Sequence, residues 1–271
     1  MLTHFAMEIH ISMPTNPIFH LGPLAITNSM LLGLIGTMVM IAVFSYAAHM
    51  VNGGKYNRFV GIVQWAFEGL YGAVYDIIPD RKMARSIAPL ALAIFFTVLT
   101  TYWISIIPGV GESVTWNGAP LLRGLPTDLN FTLALATVSM VAVQYYAIKT
   151  HGFGGNLKRY FINPLKNPIG TFEGFLELIG ELSRLIALSL RLFGNAFAGE
   201  VLLLIVMVLS SYAAAAVLPF FMGFELFIGF IQAYVFYMLT LIFAALACAS
   251  HGGHDDAPAT ALQSKEGVPH A

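Results

Sequence analysis

The sequence predicts an all-α integral membrane protein with about five membrane-embedded helices and one interfacial amphipathic helix. Three observations predict it. The chain has 271 residues, of which 58% are hydrophobic and only 10% charged, and its mean hydropathy is +0.76. Soluble domains carry about 25% charged residues, so a surface this apolar requires lipid around it. The few charges are bunched, leaving long gaps between them. One segment instead interleaves charged and apolar residues at helical spacing.

Each gap is long enough for a spanning helix of about 20 residues. No Asp, Glu, Lys or Arg occurs between Glu8 and Lys55, Arg85 and Glu112, Asp128 and Lys149, Glu200 and Glu225, or Glu225 and Asp255. A single membrane domain over residues 1–250 follows. Residues 1–22 lie outside, helices cover about 23–51, 86–108, 129–150, 169–209 and 219–250, and a polar tail, 251–271, is flexible. Between the first two spans, Phe59, Val63, Ala66, Phe67, Leu70, Val74 and Ile77 recur at steps of three and four, with Arg58, Gln64, Glu68 and Asp76 between them. That pattern is an amphipathic helix over about 56–79, lying at the membrane interface or docked on other spans.

Basic residues set the orientation. Lys55, Arg58, Arg81, Lys82 and Arg85 flank the interfacial helix, and Lys149, Lys158, Arg159 and Lys166 follow the third span, whereas the connection at 109–128 holds only Arg123. Positive residues stay cytoplasmic, so the N-terminus is expected outside and the C-terminus inside. Met1–Ile11 carries Glu8 and no basic stretch, so insertion is expected through the spans themselves. The net charge of −1 gives no support for nucleic-acid binding, and the single cysteine, Cys248, can make no internal disulfide.

The chemistry concentrates in residues 170–200. At about 100° per residue, Glu177, Arg184 and Arg191 step by seven and share a stripe, and Asn195, four beyond Arg191, extends it. Glu200, nine beyond Arg191, points to the opposite side. A charge at the bilayer centre costs about 2.5–3.5 kcal/mol on insertion scales, and arginine cannot shed it by losing a proton. Arg191 therefore meets an anion or lines a wet cavity, as a functional cation or in an internal ion pair with Glu200 or Glu225. On the last span Glu225, Gln232 and Thr240 share a face. Glu200 and Glu225, if close, would share a proton as a relay; alternatively each faces an aqueous vestibule.

Residues 189–200 read S-L-R-L-F-G-N-A-F-A-G-E, which closely resembles the signature of the subunit a family of rotary F-type ATP synthases. The stretch F-I-Q-A-Y-V-F-Y-M-L-T-L-I at 230–242 resembles that family's second signature, and I-A-P-L-A-L at 87–92 and D-L-N-F-T-L-A-L-A at 128–136 add to the likeness. The resemblance implies a non-catalytic proton-channel subunit that needs no cofactor or metal, works against a c-ring rotor and peripheral stalk b subunits, and sits in a bacterial inner membrane. It implies that Arg191 faces the rotor beside Asn195 and Gln232. Glu200 and Glu225 would line the half-channel through which protons enter during synthesis, with Glu177 and Asn130 as further polar half-channel positions. It also implies that the last two helices are strongly tilted. Many family members carry histidine where this chain has Glu225, so both members of that pair are acidic here.

Other readings are less well supported by the sequence. A secondary anion transporter using Arg191 would show an internal repeat, and none is evident. An intramembrane enzyme would need a nucleophile or metal cluster beside Glu200 and Glu225. The tail residues His251, His254, Asp255 and Asp256 could ligate a metal, but no second cluster accompanies them. Gly152–Gly155 lacks the lysine and hydroxyl residue of a phosphate-binding loop.

Overall fold

The computed structural model describes residues 17–21, 24–78, 80–107, 111–116, 119–160, 168–210 and 213–248. Their elements run β1 (Pro17–Leu21), β2 (Leu24–Thr27), α1 (Asn28–Asn52), α2 (Arg58–Ile77), α3 (Arg81–Ile106), β3 (Gly111–Trp116), β4 (Ala119–Leu122), a 3-10 turn (Leu125–Thr127), α4 (Leu129–Tyr160), α5 (Pro168–Ser210) and α6 (Ala214–Cys248). Five of the six helices, all but α2, are long and apolar enough to cross a membrane. The chain is thus an all-α membrane protein, with two small antiparallel hairpins, β1–β2 and β3–β4, as additions to the predicted pattern. Lys166 and the tail from His251 lie outside the described residues.

Local chemistry sets the helix ends. Thr27 caps α1, its hydroxyl accepting from Met30 N at 3.3 Å, so residues 24–27 pair in a strand and the helix starts later than the apolar run does. Asp80 caps α3 by accepting from Lys82 N at 3.0 Å, which draws Arg81, Lys82 and Arg85 into the helix itself. Pro219 falls in the early part of α6 rather than ahead of it. Inside α3, Pro89 removes one N–H from the ladder, and the Tyr146 hydroxyl donates to Ser86 O at 2.7 Å in the loosened turn. Gly152, at φ 74°, bends α4 where a residue with a Cβ would be strained.

The core lies where α3, α4, α5 and α6 meet. From α3 it takes Ala84, Ile87, Ala88, Ala91, Phe95, Val98 and Tyr102. From the other helices it takes Ala136, Val143, Leu188, Leu192, Ala196, Phe236 and Tyr237. Alanines at these crossings let helix backbones approach closely, which matters because lipid tails are as apolar as the side chains they would replace. Buried hydroxyls pair across the same crossings: Ser139 with Thr240 at 2.8 Å and Thr132 with Ser189 at 3.2 Å. Helix α1 is peripheral, burying Asn28, Ser29, Leu32, Gly33 and Gly36 and exposing Leu34, Met38 and Ile41.

Helix α2 docks on the bundle, one of the two alternatives its periodicity left open. One face docks on the bundle through Val60, Leu70 and Val74, and the Tyr237 hydroxyl donates to Leu70 O at 2.5 Å. The other face exposes Phe59, Ile62 and, at 77%, Trp65. An aromatic of that size left uncovered suits the interfacial zone, where its ring meets lipid and its N–H meets water.

The docking bond can be tested alone. Tyr237→Phe keeps the packed ring and removes the donor, so it should cost about 1 kcal/mol. The expected result is a melting temperature lowered by a few degrees and faster proteolysis within residues 58–77, with the rest of the bundle intact.

Candidate functional site

Polar groups in a bilayer must be satisfied by other parts of the protein or by trapped water. On α6, Glu225, Gln232 and Thr240 are all buried, as their shared stripe predicts. Glu225, 3% exposed, accepts a hydrogen bond from the Tyr102 hydroxyl of α3 at 2.6 Å, and Tyr102 is itself 1% exposed. Two glycines make the room. A Cβ at Gly229 would strike the Tyr102 ring, and one at Gly199 would strike the Glu225 carboxylate. Tyr102 thus lies over the α6 backbone, and Glu225 lies against α5 one residue before Glu200.

Glu200 is exposed on α5 beside that contact. The internal pair that the sequence left open between Arg191 and Glu225 does not form among the described residues: Glu225 is engaged by Tyr102 instead. Arg191 is exposed instead, in a shallow groove of about 280 Å³ lined by Ser183, Arg184, Ala187, Leu188, Leu239 and Phe243. The Arg184 guanidinium sits 5.2 Å from the centroid of the Phe243 ring, a cation–π distance. Arg191 has no such neighbour and no ion-pair partner among the described residues. The residues beside it on the outer face, Ile186, Ala187 and Leu190, are exposed and apolar.

One turn beyond Arg191, Asn195 Nδ2 donates to Gln232 Oε1 at 2.6 Å, joining α5 to α6. Gln232 is 2% exposed, and its Nε2 is buried with no acceptor among the described residues. The seam therefore runs from a free cation on the outer face, through a paired amide, to an acid buried behind it.

Asn130 and Glu177 lie elsewhere. Asn130 is exposed in the first turn of α4, where its N–H donates to Asp128 Oδ1 at 2.9 Å. Asp128 is buried and also accepts from Ser29 Oγ at 2.7 Å, tying the start of α4 to α1. Glu177 is half-buried on α5, two helical repeats of seven before Arg191. Sequence reasoning missed Tyr102, Asp128 and Ser29 as partners. The sequence showed Tyr102 near the end of one predicted span and Ser29 near the start of another, with nothing to indicate their partners.

The family described as ATP synthase A chain matches residues 30–245. Among individual relatives, ATP synthase subunit a of Stutzerimonas stutzeri (strain A1501) is 32% identical over 231 residues, 83% of this chain and 77% of that protein. The subunit a of Aliivibrio salmonicida (strain LFI1238) is 30% identical over 234 residues, 81% of this chain and 83% of that protein. That of Vibrio alginolyticus is 32% identical over 228 residues, 78% and 79% of the two chains.

The Tyr102–Glu225 contact predicts non-additive stability. Tyr102→Phe preserves the ring over Gly229 but strips a buried carboxyl of its donor, at about 1–3 kcal/mol. In a Glu225→Leu background the same change should have little effect. Thermal unfolding of the four proteins of this double-mutant cycle measures the difference, and equal losses in both backgrounds would show that the hydroxyl stabilises something other than Glu225.

Proposed function

The chain belongs to the ATP synthase A chain family, and on that premise we propose that it is the stator subunit that carries protons past a rotating c-ring. Two offset half-channels reach the rotor from opposite sides of the membrane, and Arg191 stands between them. The subunit is non-catalytic, and chemistry on ATP takes place elsewhere in the complex. Its partners are the c-ring, the peripheral stalk b subunits and the bilayer of a bacterial inner membrane, with the N-terminus outside and the C-terminus cytoplasmic.

The observation that carries this reading is the exposed Arg191 on an apolar face. A cation that cannot be neutralised and has no ion-pair partner among the described residues calls for an anion from outside the subunit. A rotor carboxylate that has released its proton is such an anion. Arg191 attracts it as it passes, and the same fixed charge repels protons, so they cannot leak directly from one half-channel to the other.

The surrounding residues support complementary tasks. The Asn195–Gln232 pair lies next to Arg191, and the unpaired Gln232 amide offers a donor to water or to the passing carboxyl. Glu200 and Glu225 supply protons on the entry side, with Tyr102 holding the Glu225 carboxyl toward α5. Once reprotonated, the rotor carboxyl is neutral and can turn into lipid at little cost. Asn130 and Glu177 are further polar positions, Glu177 on the exit side. The membrane potential contributes about 2.3 kcal/mol per charge per 100 mV, which successive steps convert into rotation.

ATP-driven proton pumping in membrane vesicles containing the assembled complex tests the reading. Arg191→Ala should abolish coupled pumping and admit a passive proton leak. Arg191→Lys should rescue poorly, because a compact ammonium lacks the planar fork of donors. Near-normal pumping by both variants would sink the proposal.

A further inference from the structure

A further acid on α5 sits in a polar cluster that the entry pathway and the rotor face leave unused. Glu181, half-buried, accepts from Gln144 Nε2 at 2.6 Å and from the Tyr160 hydroxyl. Gln144 Nε2 also lies 3.0 Å from the Tyr160 hydroxyl, and Gln144 Oε1 accepts from Asn156 Nδ2 at 3.2 Å. Asn156 is 7% exposed, and its Oδ1 is buried without a hydrogen-bond partner among the described residues. A carbonyl in that position calls for a donor, and a water molecule is the smallest that can supply one.

The cluster depends on the bend at Gly152. Gln144 and Tyr160 are sixteen residues apart, which in a straight helix would separate them by about 24 Å. The non-helical backbone at Gly152 folds the end of α4 back, so that Asn156 and Tyr160 meet Gln144 opposite Glu181. Four polar side chains are thus gathered at the end of the bundle whose connection carries Lys149, Lys158 and Arg159. That is the cytoplasmic end by the distribution of basic residues.

On the helical wheel, Glu181 lies about 80° from Arg191 and ten residues before it, so about 15 Å nearer that end. Glu177, Glu181, Arg184 and Arg191 occupy one broad face of α5, and the groove holding Arg191 extends along it to Ser183. An acid with two hydrogen-bond donors aimed at one oxygen, linked through Gln144 to a residue with an unpaired buried carbonyl, is arranged to exchange a proton through water.

We propose that Glu181, held by Gln144, Tyr160 and Asn156, is a proton-accepting site at the cytoplasmic end of the exit half-channel. The proposal rests on the stator reading above. A proton released by a rotor carboxyl travels through water to the Glu181 carboxylate and forms its O–H bond. That bond then breaks to water on the cytoplasmic side, which restores the carboxylate for the next proton. Tyr160 and Gln144 are positioning residues: they fix the carboxylate and lose no proton in the cycle.

Glutamine at position 181 separates this role from a clamp between α4 and α5, because its amide oxygen still accepts from Gln144 and Tyr160 but cannot carry a proton. In vesicles with the assembled complex, Glu181→Gln should assemble at normal levels and lower ATP-driven pumping at least tenfold. Glu181→Asp should retain a third or more of it. Tyr160→Phe should slow pumping by a few fold without changing subunit levels. Normal pumping by Glu181→Gln overturns the proposal, and so does its failure to assemble, which would make the cluster structural. Arg191→Ala is run in parallel. If it abolishes pumping while Glu181→Gln pumps normally, this inference alone fails; if Arg191→Ala also pumps normally, the stator reading fails with it.

Discussion

The arrangement of the bundle depends on a carboxyl buried at a helix crossing. Glu225 lies inside the crossing of α3, α5 and α6, and burying such a group without a partner costs several kcal/mol. Tyr102 supplies the donor from α3, Gly229 lets its ring lie on α6, and Gly199 lets the carboxyl lie against α5. One hydrogen bond and two missing side chains therefore fix how closely three helices approach. Everything else on the α5–α6 seam inherits that spacing, including the amide pair Asn195–Gln232.

Helix length sets the second constraint. Helix α5 has 43 residues and α6 has 35, about 64 and 52 Å at 1.5 Å per residue, against a hydrocarbon core of about 30 Å. Such helices have room to present several polar stations along their length. On α5 these include Glu177, Glu181, Arg184, Arg191, Asn195 and Glu200, in order. The wheel turns them from the α4 side through the outer face to the side near Glu225, so one continuous helix reaches three environments.

The stations are held differently, and the difference follows from what each must do. Arg184 is stacked on Phe243, whereas Arg191 in the same groove is exposed and has no ion-pair partner among the described residues. Among the described residues Glu225 has one donor, Tyr102, from a helix far away in sequence, and Glu181 has two, Gln144 and Tyr160, the latter brought to it by the Gly152 bend in α4. In a medium that gives little solvation, the number and origin of partners determine whether a charged group is a strut or is open to exchange.

Much of this was determined by the sequence alone. Composition and charge-free gaps specify the spans because lipid rejects unpaired charge over any stretch of about 20 residues, whatever the tertiary arrangement. Helical periodicity placed Arg184 and Arg191 on one stripe and Glu225, Gln232 and Thr240 on another, since neighbours on a helix face are set by 3.6 residues per turn. Tertiary structure decided the partners. Tyr102 and Glu225 are 123 residues apart in sequence, and nothing local distinguishes that tyrosine from one facing lipid. The docking of α2 needed the Leu70 carbonyl to find Tyr237. The cluster at Glu181 needed the Gly152 bend, which no periodic pattern announces. Helical spacing is a short-range property written in consecutive residues, whereas a hydrogen bond between helices depends on how whole surfaces pack, and that is resolved only when the bundle closes.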